Sequence, residues 1–346
     1  MANPEDIERA RQGKDAWNAW AEENPEAEAD FSRTQLNVID FAGFVFPGKA
    51  NFGGAQFLDN APFIGAKFCS EACFAGAEFF IVASFSQAVF KNSAPFDGAK
   101  FHRVATFAGA QFHDLAAFND ANFTTTTDFT DCTFAYVPTF HGAKLHEGTT
   151  FEAVTWPERP HEKQSPYDAV RAWARLRVEM NRLHKHEDEL SFFAKELGAR
   201  ARDRRNEPLV KRSLYRSYLA LGAGRSVAKP FGWLLGLNTL LFLPIYWYAT
   251  SAIQWRKLSL RDVLADIVSF NIPADVVSFT LSQALPLIGG SNPERVDLYR
   301  RLFARADSTG IDVPLWLEFV GTFQQLVGVV LLFMIGLALR NRFRMK

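Results

Sequence analysis

Large apolar side chains between Phe41 and Phe151 recur at alternating steps of five and six residues, with small or polar residues between them. The phenylalanines fall at 41, 46, 52, 57, 63 and 68 and continue in step to 140, followed by Leu145 and Phe151. Ala stands two positions before most of them, as at Ala61, Ala83 and Ala105. This is neither the stripe of an amphipathic helix nor the plain alternation of a strand. It suits a chain that turns a corner every five or six residues, with one large and one small side chain inward per face. Four faces close a coil of 22 residues. Stacked coils bring Phe63, Phe85, Phe107 and Phe129 into one column, and Phe68, Phe90, Phe112 and Phe134 into another. One coil cannot bury its rings, but a stack can, and each buried Phe contributes roughly 1.5–3 kcal/mol. The predicted architecture is a right-handed quadrilateral β-helix, a β-solenoid of about five coils.

The ladder resembles the pentapeptide-repeat family in its Phe-centred form with a paired five-plus-six period. The segment from Gly13 to Phe31, "GKDAWNAWAEENPEAEADF", is similar to the leader that often precedes such repeats. Thr127, Cys132, Pro138 and Thr149 replace the small Ala late in the ladder, so the last coils are expected to be less regular. The resemblance also implies a DNA-mimicking gyrase binder as one function of such solenoids. Mimicry needs a strongly acidic cylinder. Nine acids against six bases between Phe41 and Phe151 give only −3, and no nucleic-acid partner is expected.

Flanking the ladder, residues 1–30 form an expected N-terminal capping region. One amphipathic helix over 4–22 would place Trp17 and Trp20 on the exposed first coil, where open strand edges invite aggregation. The repeat domain is assigned to 31–156 and a charged helical linker to 157–227. Ser165-Pro166 starts a long helix whose apolar positions, Ala169, Trp173, Leu176, Met180 and Leu183 among them, alternate steps of four and three. Two readings stay open for this stripe: a cap on the last coil, or a self-association helix.

The remainder, 228–346, is predicted to be an α-helical transmembrane domain. Residues 231–253 carry no charge, and a second apolar run covers 313–339. Both are long enough to cross a bilayer. Each has a basic flank, Arg200 to Arg225 before the first and "RNRFRMK" after the second, which favours the cytoplasmic side. The expectation is a multi-pass protein of the inner (cell) membrane with both termini and the β-helix in the cytoplasm. The N-terminus has no apolar signal-peptide core.

Between the spans, residues 259–290 read as an interfacial helix over "SLRDVLADIVSF" and a short re-entrant helix over "ADVVSFTLSQA". Span, half-depth helix and span is the layout of two-helix pore domains. Candidate pore and re-entrant residues are Ser278, Thr280, Ser282, Gln283, Gly289 and Gly290, with Glu318, Thr322 and Gln325 as a polar stripe on the last span. The segment "SFTLSQALPLIGGSNP" stands where a potassium channel carries its Thr-Val-Gly-Tyr-Gly filter, but without the Tyr and its register. The other reading of the polar residues is interhelical hydrogen bonding, aided by Gly321, Gly328 and the Gly232/Gly236 pair.

Composition narrows the choice. The chain has 346 residues with equal acid and base counts and three cysteines. Cys69, Cys73 and Cys132 form no disulfide framework or zinc spacing, and a reducing compartment fits. His102, His113 and His141 directly follow ladder positions and should point outward, while His184 and His186 lie two apart on the predicted helix. No catalytic, cofactor or metal residues emerge, and an enzyme is not expected. The expected partners are membrane lipid, other copies of the chain (a tetramer first) and a cytoplasmic protein on the β-helix. Two functions compete: an ion-conducting oligomeric pore, and a membrane-tethered scaffold whose spans only anchor and oligomerise.

Overall fold

Phe85 lies flat against Phe63 on one side and Phe107 on the other, each at 5.0 Å between ring centroids. The column continues to Phe129 and Phe151 in a computed structural model of the chain. A second column joins Phe46, Phe68, Phe90, Phe112 and Phe134 at 4.7–5.0 Å. Rings on adjacent faces meet edge-on, as Phe74 and Phe85 do at 5.2 Å and 84°. Both predicted columns are present. The structure describes residues 2–157, 164–246, 273–284, 298, 301–302 and 315–344. It divides into two units, Met1–Arg216 and Ser217–Lys346.

The first unit is a β-solenoid of about five turns whose strands are two residues long and pair in parallel. Four stacks of strands form the four faces, with Val89 opposite Lys67 and Gln111, 22 residues away in each direction. The five-residue faces begin with a hydrogen-bonded turn: the Ala66 N–H donates to the Phe63 carbonyl at 3.1 Å. Its third residue, Gly65, has φ +63, as a type II turn demands. This left-handed position recurs every eleven residues from Gly43 to Ala153, and Gln87, Asp120 and Asp131 occupy it as well as glycine. One stack is interrupted between Cys73 and Pro95, because Pro95 has no N–H to donate to the preceding coil.

The last coil is less regular, as expected. It pairs through isolated bridges such as Ala117 to Thr139 and Thr133 to Thr155. Cys132 takes the small inward slot, fully buried, and its Sγ donates to the Phe107 carbonyl at 2.9 Å. Burial pushes its thiol up to about 12. Outside, His102, His113 and His141 are exposed.

Both ends of the solenoid are closed. The predicted N-terminal helix is two helices, α1 (Pro4–Arg11) and α2 (Lys14–Glu23), broken where Gly13 takes φ +94. The break lets α2 lay Trp17 over the first coil, where its indole N–H donates to the Val45 carbonyl at 2.9 Å and its ring stacks on Phe44. Trp17 is fully buried, whereas Trp20 is half-buried under the Arg9 guanidinium.

At the other end the predicted long helix is a hairpin of α3 (Pro166–Arg182) and α4 (His186–Arg202). His184 turns the chain with φ +58, so His184 and His186 do not share a helix. Trp173, Leu176 and Met180 are buried in the solenoid core, and Phe192 of α4 meets Phe151 edge-on at 5.8 Å. Cap side chains take up backbone groups of the final coils: Arg182 donates to the Leu145 carbonyl at 2.8 Å, and Lys185 to that of Thr149. The apolar stripe on α3 is therefore consumed as a cap. Helix α5 (Leu209–Ala220) follows and buries none of its residues.

The second unit contains two helices long and apolar enough to cross a membrane, Ala228–Tyr246 and Leu315–Phe343. In each, only 28% of the apolar window is buried within the chain. The predicted interfacial helix at 259–270 and the end of the first span lie outside the described residues, as do Gly289 and Gly290.

Candidate functional site

Three helices meet in the second unit. Helix α6 (Ala228–Leu237) runs on through a wider π-type turn, Asn238–Phe242, to Tyr246. Helix α7 (Ala274–Ala284) is the predicted short helix, preceded by Pro273. Its eleven residues span about 16 Å, roughly half a bilayer core. Helix α8 covers Leu315–Arg344.

Most of α7 and α8 is apolar, so the polar atoms buried between them must find partners. They do so around Gln324, which is 1% exposed. Its amide nitrogen donates to the Asn238 side-chain oxygen at 2.6 Å and to the Thr280 carbonyl at 2.8 Å. Its amide oxygen accepts from the Tyr246 hydroxyl at 2.7 Å. One side chain thereby ties the first long helix and α7 to α8. Beside it, Gln325 donates to the side-chain oxygen of fully buried Gln283 at 2.5 Å. The π-type turn arises where the Leu243 N–H reaches back to the Asn238 carbonyl, five residues earlier. Such turns occur often at functional positions.

Small residues bring the backbones together. Gly328 packs so closely on the Ala284 carbonyl that an added Cβ would collide with it, and Gly321 faces the Tyr246 hydroxyl and Gln283. Gly232 and Gly236 meet no neighbour among the described residues where a side chain would stand, so no helix packing by that pair is seen there.

The predicted site residues are thus divided. Thr280 and Gln283 are buried in the junction, and Gln325 is half-buried at its edge. Ser282 donates back to its own helix at Phe279, and Ser278 is exposed. Glu318 and Thr322 are exposed on a flank of α8, where the Thr322 hydroxyl donates to the Glu318 carbonyl at 2.9 Å. The inward stripe of α8 instead runs through Leu317, Gly321, Gln324, Gly328 and Leu331. Asn238 and Gln324 escaped the sequence reading, and Tyr246 is buried in the junction although its place among the aromatics at the end of the first span suggests a membrane interface. Lone amides in apolar runs, "GLNTLLF" and "FQQLVG", were the signal for Asn238 and Gln324.

These two units define a pentapeptide-type β-solenoid joined in one chain to span-length apolar helices. Residues 85–133 match the family model for pentapeptide repeats, with nine copies. No curated protein and no solved structure matches the chain.

Proposed function

We propose that the chain is an oligomeric integral membrane protein whose apolar helices form a channel-like, ion-conducting pore, with the solenoid in the cytoplasm. The observation that carries this reading is a half-length helix, α7, clamped by buried amides between two span-length helices. Glu318 and Thr322 stand on the flank of that clamp, and the other exposed residues of α8 before Arg340 are apolar. A carboxylate in such a place favours water or a neighbouring subunit over lipid. Two spans cannot enclose a channel, so a ring of subunits, a tetramer first, would gather the Glu318 carboxylates and attract cations. The reading includes no enzymatic step, and the solenoid's outer surface would serve a cytoplasmic protein partner. Purified protein in liposomes is expected to pass monovalent cations, and Glu318→Gln to reduce the flux or its cation preference. For the inner-membrane topology, cysteines placed at Arg205 and Arg344 should be shielded from an impermeant thiol reagent in intact cells, and one at Asn292 labelled.

A membrane-tethered scaffold is the second reading. It is favoured by the junction itself, whose amides are satisfied within one chain, as interhelical glue requires. An assembled oligomer with no flux under any voltage, pH or salt would put the scaffold first.

A further inference from the structure

Helix α5 stands apart from every other helix of the solenoid unit because none of its residues is buried. Leu209, Val210 and Leu214 are 68%, 71% and 62% exposed. At about 100° per residue, these three share one arc of the helix with Ser213 and Ser217, which are also exposed. Lys211 borders the arc on one side, with Arg212 and Arg216 on the other. The two arginines also hold the helix in place, donating to the Ala201 carbonyl at 3.3 and 3.4 Å. Tyr215, on the opposite side from the arc, is half-buried.

Charge around this helix is one-sided. Between Arg200 and Lys229 there are nine basic and two acidic side chains, a net of +7. Both acids are engaged within this stretch. Glu207 accepts from Arg200 at 3.3 Å, and Asp203 is engaged by the backbone N–H groups of Arg205 and Asn206 and by the Asn206 amide. The next helix in the chain is the first span-length apolar one, starting at Ala228.

An apolar strip bordered by cations suits one occupant above others. We infer that α5 lies in the surface of an anionic bilayer, with Leu209, Val210 and Leu214 among the upper acyl chains and Lys211 and Arg216 at lipid phosphates. Basic residues near such a surface contribute about 1 kcal/mol each, and their long alkyl stems let the charged ends rise to the headgroups. A water-facing helix would gain nothing from three large aliphatic side chains in one arc. A protein partner would need acidic groups matched to cations on both borders. The inference rests on the membrane reading above and deepens it, assigning the lipid class and the residues that recognise it.

The test uses full-length protein with its three cysteines replaced, carrying one fluorescent thiol label at a time. Labels go at Leu214→Cys in α5, at Phe333→Cys in α8 and at Lys91→Cys on the solenoid. The protein is reconstituted in phosphatidylcholine vesicles with or without phosphatidylglycerol, each containing a lipid-chain quencher. The inference expects strong quenching at 333 in both lipids, none at 91, and quenching at 214 that is severalfold greater with phosphatidylglycerol. Salt at about 1 M, where the Debye length is about 3 Å, should remove most of that lipid preference, and so should Lys211→Glu. Quenching at 333 but not at 214 overturns the inference while the membrane reading stands. Equal quenching at 214 in both lipids overturns the anionic assignment. Absence of quenching at 333 removes the membrane reading and this inference together.

Discussion

The Gln324 side chain donates to that of Asn238 at 2.6 Å, although 86 residues separate them in the chain. It joins two helices whose remaining surfaces are almost wholly apolar. Replacing Gln324 by Leu would remove one hydrogen bond each from the Asn238 oxygen, the Tyr246 hydroxyl and the Thr280 carbonyl. Leaving a buried polar group unpaired costs about 1–3 kcal/mol, so Gln324→Leu is expected to lower thermal stability in detergent clearly. Gln325→Leu breaks only the bond to Gln283 and should cost less. Equal losses for the two would remove Gln324 from the centre of the junction.

Ring stacking predicts a steep contrast across the wall of the solenoid. Phe107→Ala, in a middle coil, should cost about 3–5 kcal/mol through the cavity it leaves. Lys100 stands outside and pairs with Glu78 at 2.6 Å, its own side chain half exposed. Exposed pairs contribute about 0.2–1 kcal/mol, so Lys100→Ala should be mild. The hydrogen bond from Lys100 holds the Glu78 carboxyl below its ordinary value. The pair's small contribution is therefore full above the unfolded carboxyl pKa and lost as pH falls through the lowered one. Denaturant melts of both variants across acid pH check each statement.

Corner geometry supplies a test free of side-chain packing. Gln87 holds φ +58 at a position where Gly98 holds +66, and a Cβ on Gly98 would meet nothing within 4 Å. Left-handed backbone costs an L-residue about 1–2 kcal/mol. Gly98→Ala should destabilise by about that amount, and Gln87→Gly should stabilise the fold by somewhat less, since glycine is more flexible when unfolded. A destabilised Gln87→Gly would show that its side chain matters more than its backbone.

Thiol chemistry reports on the inner slot. Cys69 and Cys73 are half-buried, while Cys132 is fully buried with its thiol raised to about 12. The thiolate is the reactive form. A chromogenic thiol reagent should therefore modify two cysteines in the native protein and the third only on unfolding. Rapid reaction at Cys132 in folded protein would contradict its placement.

The solenoid was legible because its rule repeats: each Phe column is written many times over, and a misread position is corrected by its neighbours. Single events were less legible. The breaks at Gly13 and His184 each depend on one residue adopting a left-handed or near-left-handed backbone, and apolar spacing continues across both. The junction was half legible for a similar reason. On sequence alone the phase of α8 follows Glu318, the most conspicuous polar residue, whereas packing against Ala284 and Tyr246 sets the inward stripe one position away, through Gly321 and Gln324. Thr280 and Gln283 were found because α7 is short and its polar residues few.

Pairing at 22 residues from Val45 onward, after a first coil that pairs at 21, with a helix cap at each end, makes the solenoid a ruler with fixed graduations. An insertion of a few residues would move every later Phe off its column and expose its ring. A duplicated coil of 22 residues would restore every column one rung farther on. The separation between Trp17 and Trp173 can thus grow or shrink only in steps of about 4.8 Å, the spacing between neighbouring strands.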